Sequence, residues 1–164
     1  MKNIALISHT SNFGGAERML INLALLLKNS LEYNPIIFIP NGGTRLLKEE
    51  CDKENIETVE VENSEEYIFL KNENLYDKLI NTKEYMVNLE QYFIDYDIKL
   101  VINNTSTLIS PVIAAHKLKL PVVTWIHGIL SSYSIPVEFD PELRYLFEKF
   151  LILFSDKIFS LLLR

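Results

Sequence analysis

Asn3-Ile4-Ala5-Leu6-Ile7-Ser8, a short loop, Gly14-Gly15-Ala16-Glu17-Arg18, then Leu20-Ile21-Asn22-Leu23-Ala24-Leu25-Leu26: this stretch decides the fold. An apolar run that meets paired glycines at the start of an apolar helix reads as a buried strand turning into a helix. Such a turn brings backbone N–H groups close to a ligand, with the positive end of the helix dipole aimed at the same place. The junction suits phosphate. The glycines also have a purely structural reading, because a tight turn needs close packing or unusual backbone angles regardless of any ligand.

The same alternation continues along the chain. Strands are predicted near 3–8, 34–39, 56–61, 99–103, 121–125 and 157–160, and helices near 15–29, 44–54, 75–96, 106–118 and 139–154. Pro35-Ile36-Ile37-Phe38-Ile39 and Leu100-Val101-Ile102 are continuous apolar runs, as expected of strands buried on both faces of a parallel sheet. Asp140-Pro141 resembles a helix start, and Leu120-Pro121 marks entry to a strand. Repeated strand–helix units predict a doubly wound, mostly parallel sheet in a three-layer α/β/α sandwich. Residues 62–74, rich in Glu and Asn, read as a loop or insertion.

Composition narrows the function classes. The 164 residues are 48% hydrophobic and 23% charged, which fits a single globular domain over 1–164. A net charge of −6 and a pI near 5.1 argue against a nucleic-acid partner. One cysteine, Cys51, allows no intrachain disulfide and reads as a reduced, buried thiol. Three scattered histidines and that cysteine make no metal site. No secretory signal is visible and no apolar stretch approaches the roughly 20 residues of a spanning helix, so a cytoplasmic setting is expected. Asn104-Thr105-Ser106 matches a glycosylation sequon that such a setting leaves unused.

In an open α/β sheet, ligands bind beyond the carboxyl ends of the strands. Those ends carry Ser8 to Gly15, Pro40 to Gly43, Asn103 to Thr107 and His127 to Ser134. His127 precedes Gly128, so its ring can reach the cleft and meet a phosphate or a sugar hydroxyl near neutral pH. His9 is a second, weaker candidate, and His116 reads as a surface residue. Glu17 fits either a ligand role or a partner for the helix dipole. Arg18 fits a solvated helix position better than a phosphate clamp. Asn103, Asn104 and Thr105 fit a helix cap better than direct contact with substrate. Ser131 and Ser132 lie in a polar loop that can hold an acceptor or simply face water. There is no GxGxxG, no acid after the second strand to hold a ribose, no P-loop and no GxSxG elbow.

Together, Gly14-Gly15-Ala16-Glu17-Arg18, Val101-Ile102-Asn103-Asn104-Thr105, Leu120-Pro121-Val122-Val123, Ile126-His127-Gly128 and Ser155-Asp156-Lys157-Ile158 resemble the N-terminal domain of family 4 glycosyltransferases of the GT-B type. The resemblance implies two Rossmann-like domains facing a cleft. The N-terminal one would bind a glycan or glycolipid acceptor. The other would bind the nucleoside-diphosphate sugar and supply a glutamate pair. It further implies that the Gly14 and Gly15 amides approach the donor diphosphate and that His127, the catalytic candidate, lies near the transferred sugar. Transfer would retain the anomeric configuration with no metal and no cofactor beyond the nucleotide sugar. Glu49 and Glu57 match the glutamate spacing by accident, in the wrong half.

On this reading the donor-binding domain is absent from the chain, which alone would be inactive, and the parent enzyme would serve polysaccharide or glycoconjugate synthesis. Peripheral contact with the inner face of a membrane stays open. Self-association through the apolar end, Phe150, Leu151, Leu153, Phe154 and Leu161 to Leu163, is also expected. Two rivals remain: a noncatalytic α/β module that binds a sugar, a nucleotide or a protein, and a Rossmann-type enzyme that modifies nucleotide sugars, which the missing dinucleotide fingerprint weakens.

Overall fold

The computed structural model describes residues 1–62, 74–127 and 141–160. Six strands alternate with five helices: β1 (Lys2–Ile7), α1 (Gly15–Asn29), β2 (Tyr33–Pro40), α2 (Leu46–Lys53), β3 (Glu57–Val61), α3 (Leu75–Asp95), β4 (Ile98–Asn103), α4 (Ser110–Lys117), β5 (Val122–Ile126), α5 (Pro141–Phe154) and β6 (Lys157–Ser160). All pairings are parallel, in the order β3-β2-β1-β4-β5-β6. The direction of winding reverses between β1 and β4. The loops that leave their carboxyl ends therefore turn to opposite faces of the sheet, and the crevice between them is where such sheets bind ligands.

Alternation along each strand divides the core into two layers. Ile4 and Leu6 of β1 with Ile37 and Ile39 of β2 pack under Leu20, Ile21 and Ala24 of α1 and Leu47 and Cys51 of α2. Ala5 and Ile7 with Ile36 and Phe38 pack on the opposite face against Tyr85, Leu89 and Phe93 of α3, Val112 and Ala115 of α4, and Leu151 of α5. A strand covered by helices on both sides must be apolar at every position, which is why these runs are unbroken. Phe38 meets Phe93 edge-on, ring centroids 5.6 Å apart. Cys51 is fully buried, and burial is the main cause that pushes its thiol up to about 12.

Two helix starts differ from the sequence expectation. α2 begins at Leu46, after Arg45 in the left-handed region at φ 59°. α4 begins at Ser110 with Pro111 in its first turn, four residues later than expected, and its N-cap is Ile109. Asn103, Asn104 and Thr105 therefore do not cap it, because their side chains are committed elsewhere. α1 to α4 each end just before a non-glycine residue in the left-handed region, at Leu31, Asn55, Asp97 and Lys119, a common way to stop a helix.

The apolar C-terminal end is partly covered within the domain. Leu151 is 1% exposed and belongs to the core, and Phe150 and Phe154 are half-buried and stack at 5.7 Å. Leu153 remains 74% exposed. Leu161 to Leu163 and most of the expected 62–74 loop lie outside the described residues. Among the described residues no helix is long and apolar enough to cross a membrane.

Candidate functional site

The loop from β1 to α1 is held by its own polar side chains. Ser8, fully buried, donates to the Thr10 carbonyl at 3.0 Å. Thr10 Oγ1 accepts from the Asn12 N–H at 3.1 Å. The segment after β2 fastens the loop from outside: Thr44 Oγ1 donates to Asn12 Oδ1 at 2.7 Å, and the Leu47 N–H to the Ser11 carbonyl at 3.0 Å. A small-polar sequence here lets the chain satisfy itself while passing over the carboxyl edge of the sheet.

Gly14 caps α1 in extended conformation, φ −131°, so neither glycine of the pair needs left-handed backbone. Glu17, at the third helical position, folds back so that its Oε2 accepts from the Gly14 N–H at 3.1 Å. The carboxylate thus satisfies one free donor of the helix start and sits in the favourable field of the dipole. A Cβ on Gly14 would stand 3.1 Å from that oxygen, so this glycine makes room for Glu17. A Cβ on Gly15 would meet nothing within 4 Å among the described residues. The first-turn N–H groups that follow have no intrahelical partner, as in any helix.

Glu17 is 4% exposed, and its Oε1 is buried without a hydrogen-bond partner among the described residues. It faces His9 Nδ1, also buried and unpartnered, across 3.7 Å. That gap is too long for a hydrogen bond. From the other side of the crevice, Asn104 at the end of β4 donates from Nδ2 to the Ala16 carbonyl at 3.2 Å. Its Oδ1 lies 2.5 Å from Nε2 of His127, just beyond β5. Trp125 covers the His127 ring, with centroids 4.7 Å apart. His9, Glu17, Asn104 and His127 are thus brought together at the switch point, from three strand ends and one helix start.

Burial pushes both histidines below the ordinary imidazole value. For His9 the Glu17 carboxylate works in the opposite direction. For His127 Glu17 also opposes burial, while His9 adds to the lowering. Unfolded, both rings titrate near 6.5. As pH falls below that value, the unfolded chain takes up protons that the folded chain resists, so stability declines; above it, this contribution is flat. The melting temperature is therefore expected to drop between about pH 7.5 and about pH 5, and to drop less in His9→Asn. Thermal unfolding of both proteins across that range checks this; equal slopes would show that His9 is not held neutral.

The remaining candidates separate. Asn103 Nδ2 donates to the carbonyls of Thr105 and Leu108, at 3.0 and 3.1 Å, and ties down the loop after β4. Its Oδ1 is buried, with no hydrogen-bond partner among the described residues. Thr105 Oγ1 pairs with Thr107 Oγ1 at 2.8 Å. Arg18 is exposed on the outer side of α1, its guanidinium 5.6 Å from the centroid of the Phe13 ring. His116 is exposed and meets Phe154 edge-on. Gly128, Ser131 and Ser132 lie outside the described residues. Among the described residues no group of three or more His, Cys, Asp or Glu could hold a metal ion. Sequence reasoning singles out Trp125-Ile126-His127-Gly128 but gives Trp125 no role as the cover of His127, and it misses the Ala16 carbonyl as the anchor of Asn104. A backbone carbonyl leaves no mark in a sequence, whereas a tryptophan two residues before a strand-end histidine was a usable signal.

No protein-family model matches the chain, and no curated protein sequence does. Solved structures do. MurG of Acinetobacter baumannii superposes with a TM-score of 0.68 at 10% identity, covering 98% of this chain and 41% of that one. A UDP-N-acetylglucosamine 2-epimerase gives 0.65 at 18% identity, covering 97% and 41%. The lipopolysaccharide outer core galactosyltransferase WaaB gives 0.62 at 15% identity, covering 96% and 38%. The chain spans about two fifths of the length of these structures. Identities this low speak for the fold alone. The chain has the Rossmann-like α/β/α fold of one domain of a GT-B protein.

Proposed function

We propose that the chain is the acceptor-side domain of a glycosyltransferase of family 4 type, working with a second Rossmann-like domain that binds a nucleoside-diphosphate sugar. The observation that carries this reading is the convergence of His9, Glu17, Asn104 and His127 beside the first turn of α1, at the switch point of the sheet. In the proposed reaction the anomeric carbon exchanges its bond to a diphosphate oxygen for one to an acceptor hydroxyl oxygen, with retention of configuration, and the hydroxyl proton leaves with the diphosphate. The protein's contribution is orientation of the acceptor and electrostatic stabilisation of the departing diphosphate. His127 serves the transferred sugar, and the open side of Gly15 admits the diphosphate. The Gly14 N–H is already given to Glu17, so the diphosphate role falls on the amides that follow it.

The proposal includes a cytoplasmic enzyme of polysaccharide or glycoconjugate synthesis, with a glycan or glycolipid as acceptor. Exposed Leu153 and Phe159 are the surface offered to the second domain, or to another copy when that domain is lacking. A second reading, an enzyme that epimerises a nucleotide sugar, is favoured by the likeness to UDP-N-acetylglucosamine 2-epimerase at a comparable TM-score. Calorimetry of the 164-residue chain against UDP-sugars is expected to show weak binding and no turnover. Tight, nucleotide-specific binding would put the donor site on this chain and overturn the acceptor-side assignment. A 2-epimer, rather than a new glycoside, from a longer protein carrying this segment would decide for the second reading.

A further inference from the structure

Asn104 presents the two ends of its amide to partners of opposite demand. Nδ2 meets the Ala16 carbonyl at 3.2 Å, and Oδ1 meets His127 Nε2 at 2.5 Å. A carbonyl only accepts, so the amide NH2 must face Ala16; turned over, two carbonyl oxygens would oppose each other. That leaves Oδ1 for His127, and an amide oxygen also only accepts. The shared hydrogen therefore belongs to His127 Nε2. In a neutral imidazole the other nitrogen then carries a lone pair. Among the described residues no group donates to that nitrogen.

We infer that Asn104 is a positioning residue: anchored on the first turn of α1, it holds His127 as the Nε2–H tautomer and thereby makes Nδ1 the acceptor of the site. A ring nitrogen with a lone pair receives a hydroxyl hydrogen and repels a phosphate oxygen. At this point the site selects a hydroxyl. Calling that hydroxyl a sugar's rests on the proposed function; the tautomer does not.

Besides Asn104, the groups around the ring among the described residues are Glu17 from α1, His9 from the end of β1 and Trp125 from β5. Burial keeps the ring neutral at pH 7, with His9 in support and Glu17 in opposition. When the ring is protonated, its bond to Asn104 persists and Nδ1 becomes a donor. Asn104 thus permits the neutral acceptor and the charged donor, and excludes the neutral Nδ1–H form. Because Asn104 hangs from Ala16, a shift of the first turn of α1 is felt at the His127 ring.

Nitrogen NMR of the 164-residue chain labelled at histidine tests this, with the His127 signals assigned by their loss in His127→Gln. At about pH 8 the expected pattern is a protonated Nε2 and an unprotonated Nδ1. A protonated Nδ1 with a bare Nε2 would overturn the inference. In Asn104→Ala the two shifts are expected to move toward each other as both tautomers populate; unchanged shifts would show that Asn104 does not set the form. In N104D a carboxylate replaces the amide, and the His127 midpoint is expected to rise by about one unit or more. An unmoved midpoint in a folded N104D would also overturn it. If N104D fails to fold, the wild-type tautomer and Asn104→Ala decide. None of these readings requires a glycosyltransferase, so failure of the proposed function leaves the test standing.

Discussion

On the proposed function, Gly15→Val is expected to leave the chain folded and to lower glycosyl transfer by the complete enzyme about 100-fold or more. The two glycines at this turn have different reasons to be there. At Gly14 a side chain would press on the Glu17 carboxylate, so packing alone explains the residue. Gly15 has neither excuse. Its backbone is not left-handed, it opens the helix at the first position, and a Cβ would meet nothing within 4 Å among the described residues. Such a glycine fits the proposed approach of a diphosphate to this turn. Valine in that space would keep the proposed diphosphate from closing on the first-turn amides, while costing the first turn of a helix little. Thermal unfolding of the variant beside its transfer rate is the check. A stable, fully active Gly15→Val would remove the diphosphate from this turn.

The fold was legible because a parallel sheet covered on both sides leaves an unambiguous trace. Ile36 to Ile39 and Val101 to Ile102 tolerate no polar residue, since one side chain faces α1 or α2 and the next faces α3 or α4. All six strands lie within two residues of where the apolar runs place them. The start of α4 was misread for a physical reason. Asn104-Thr105-Ser106 has the composition of a helix cap, but Asn104 reaches across the crevice to Ala16 and sideways to His127 beyond β5, and Thr105 bonds Thr107. The same residues that would cap a helix locally were taken by partners elsewhere in the fold.

The site was legible as a set of strand ends but not as a set of contacts. His9, Glu17, Asn104 and His127 are all strand-end or helix-start residues, and position alone nominated them. Their pairing depends on sheet order. Asn104 lies 88 residues from Ala16 and 23 from His127, and no local pattern states that β4 stands between β1 and β5. The orphaned Oε1 of Glu17 is of the same kind. A glutamate at the third position of a helix signals a cap, and only the packing of His9 against it shows a second oxygen left over for other work.

Gly43→Ala is expected to destabilise the chain by about 2–4 kcal/mol, through two effects that a second substitution separates. Gly43 has φ +76°, in the left-handed region, where a methyl group costs about 1–2 kcal/mol. In addition, the new Cβ would lie 2.1 Å from Ser11 Oγ, which cannot stand. Ser11 is 7% exposed in the loop between β1 and α1, so the χ1 rotation that would carry Oγ away has to find room among packed neighbours. Ser11→Ala deletes the clashing oxygen and leaves its Cβ at 3.5 Å from the added methyl, an ordinary contact. The double variant should therefore recover the steric part and keep only the backbone part, about 1–2 kcal/mol relative to Ser11→Ala alone. Urea unfolding of the four proteins measures the coupling. The consequence reaches the site, because the segment Gly42 to Leu47 holds the loop that carries His9 and leads into Gly14. A Gly43→Ala chain that keeps its stability would mean that this loop yields freely, and that the placement of His9 against Glu17 is not enforced from the β2 side.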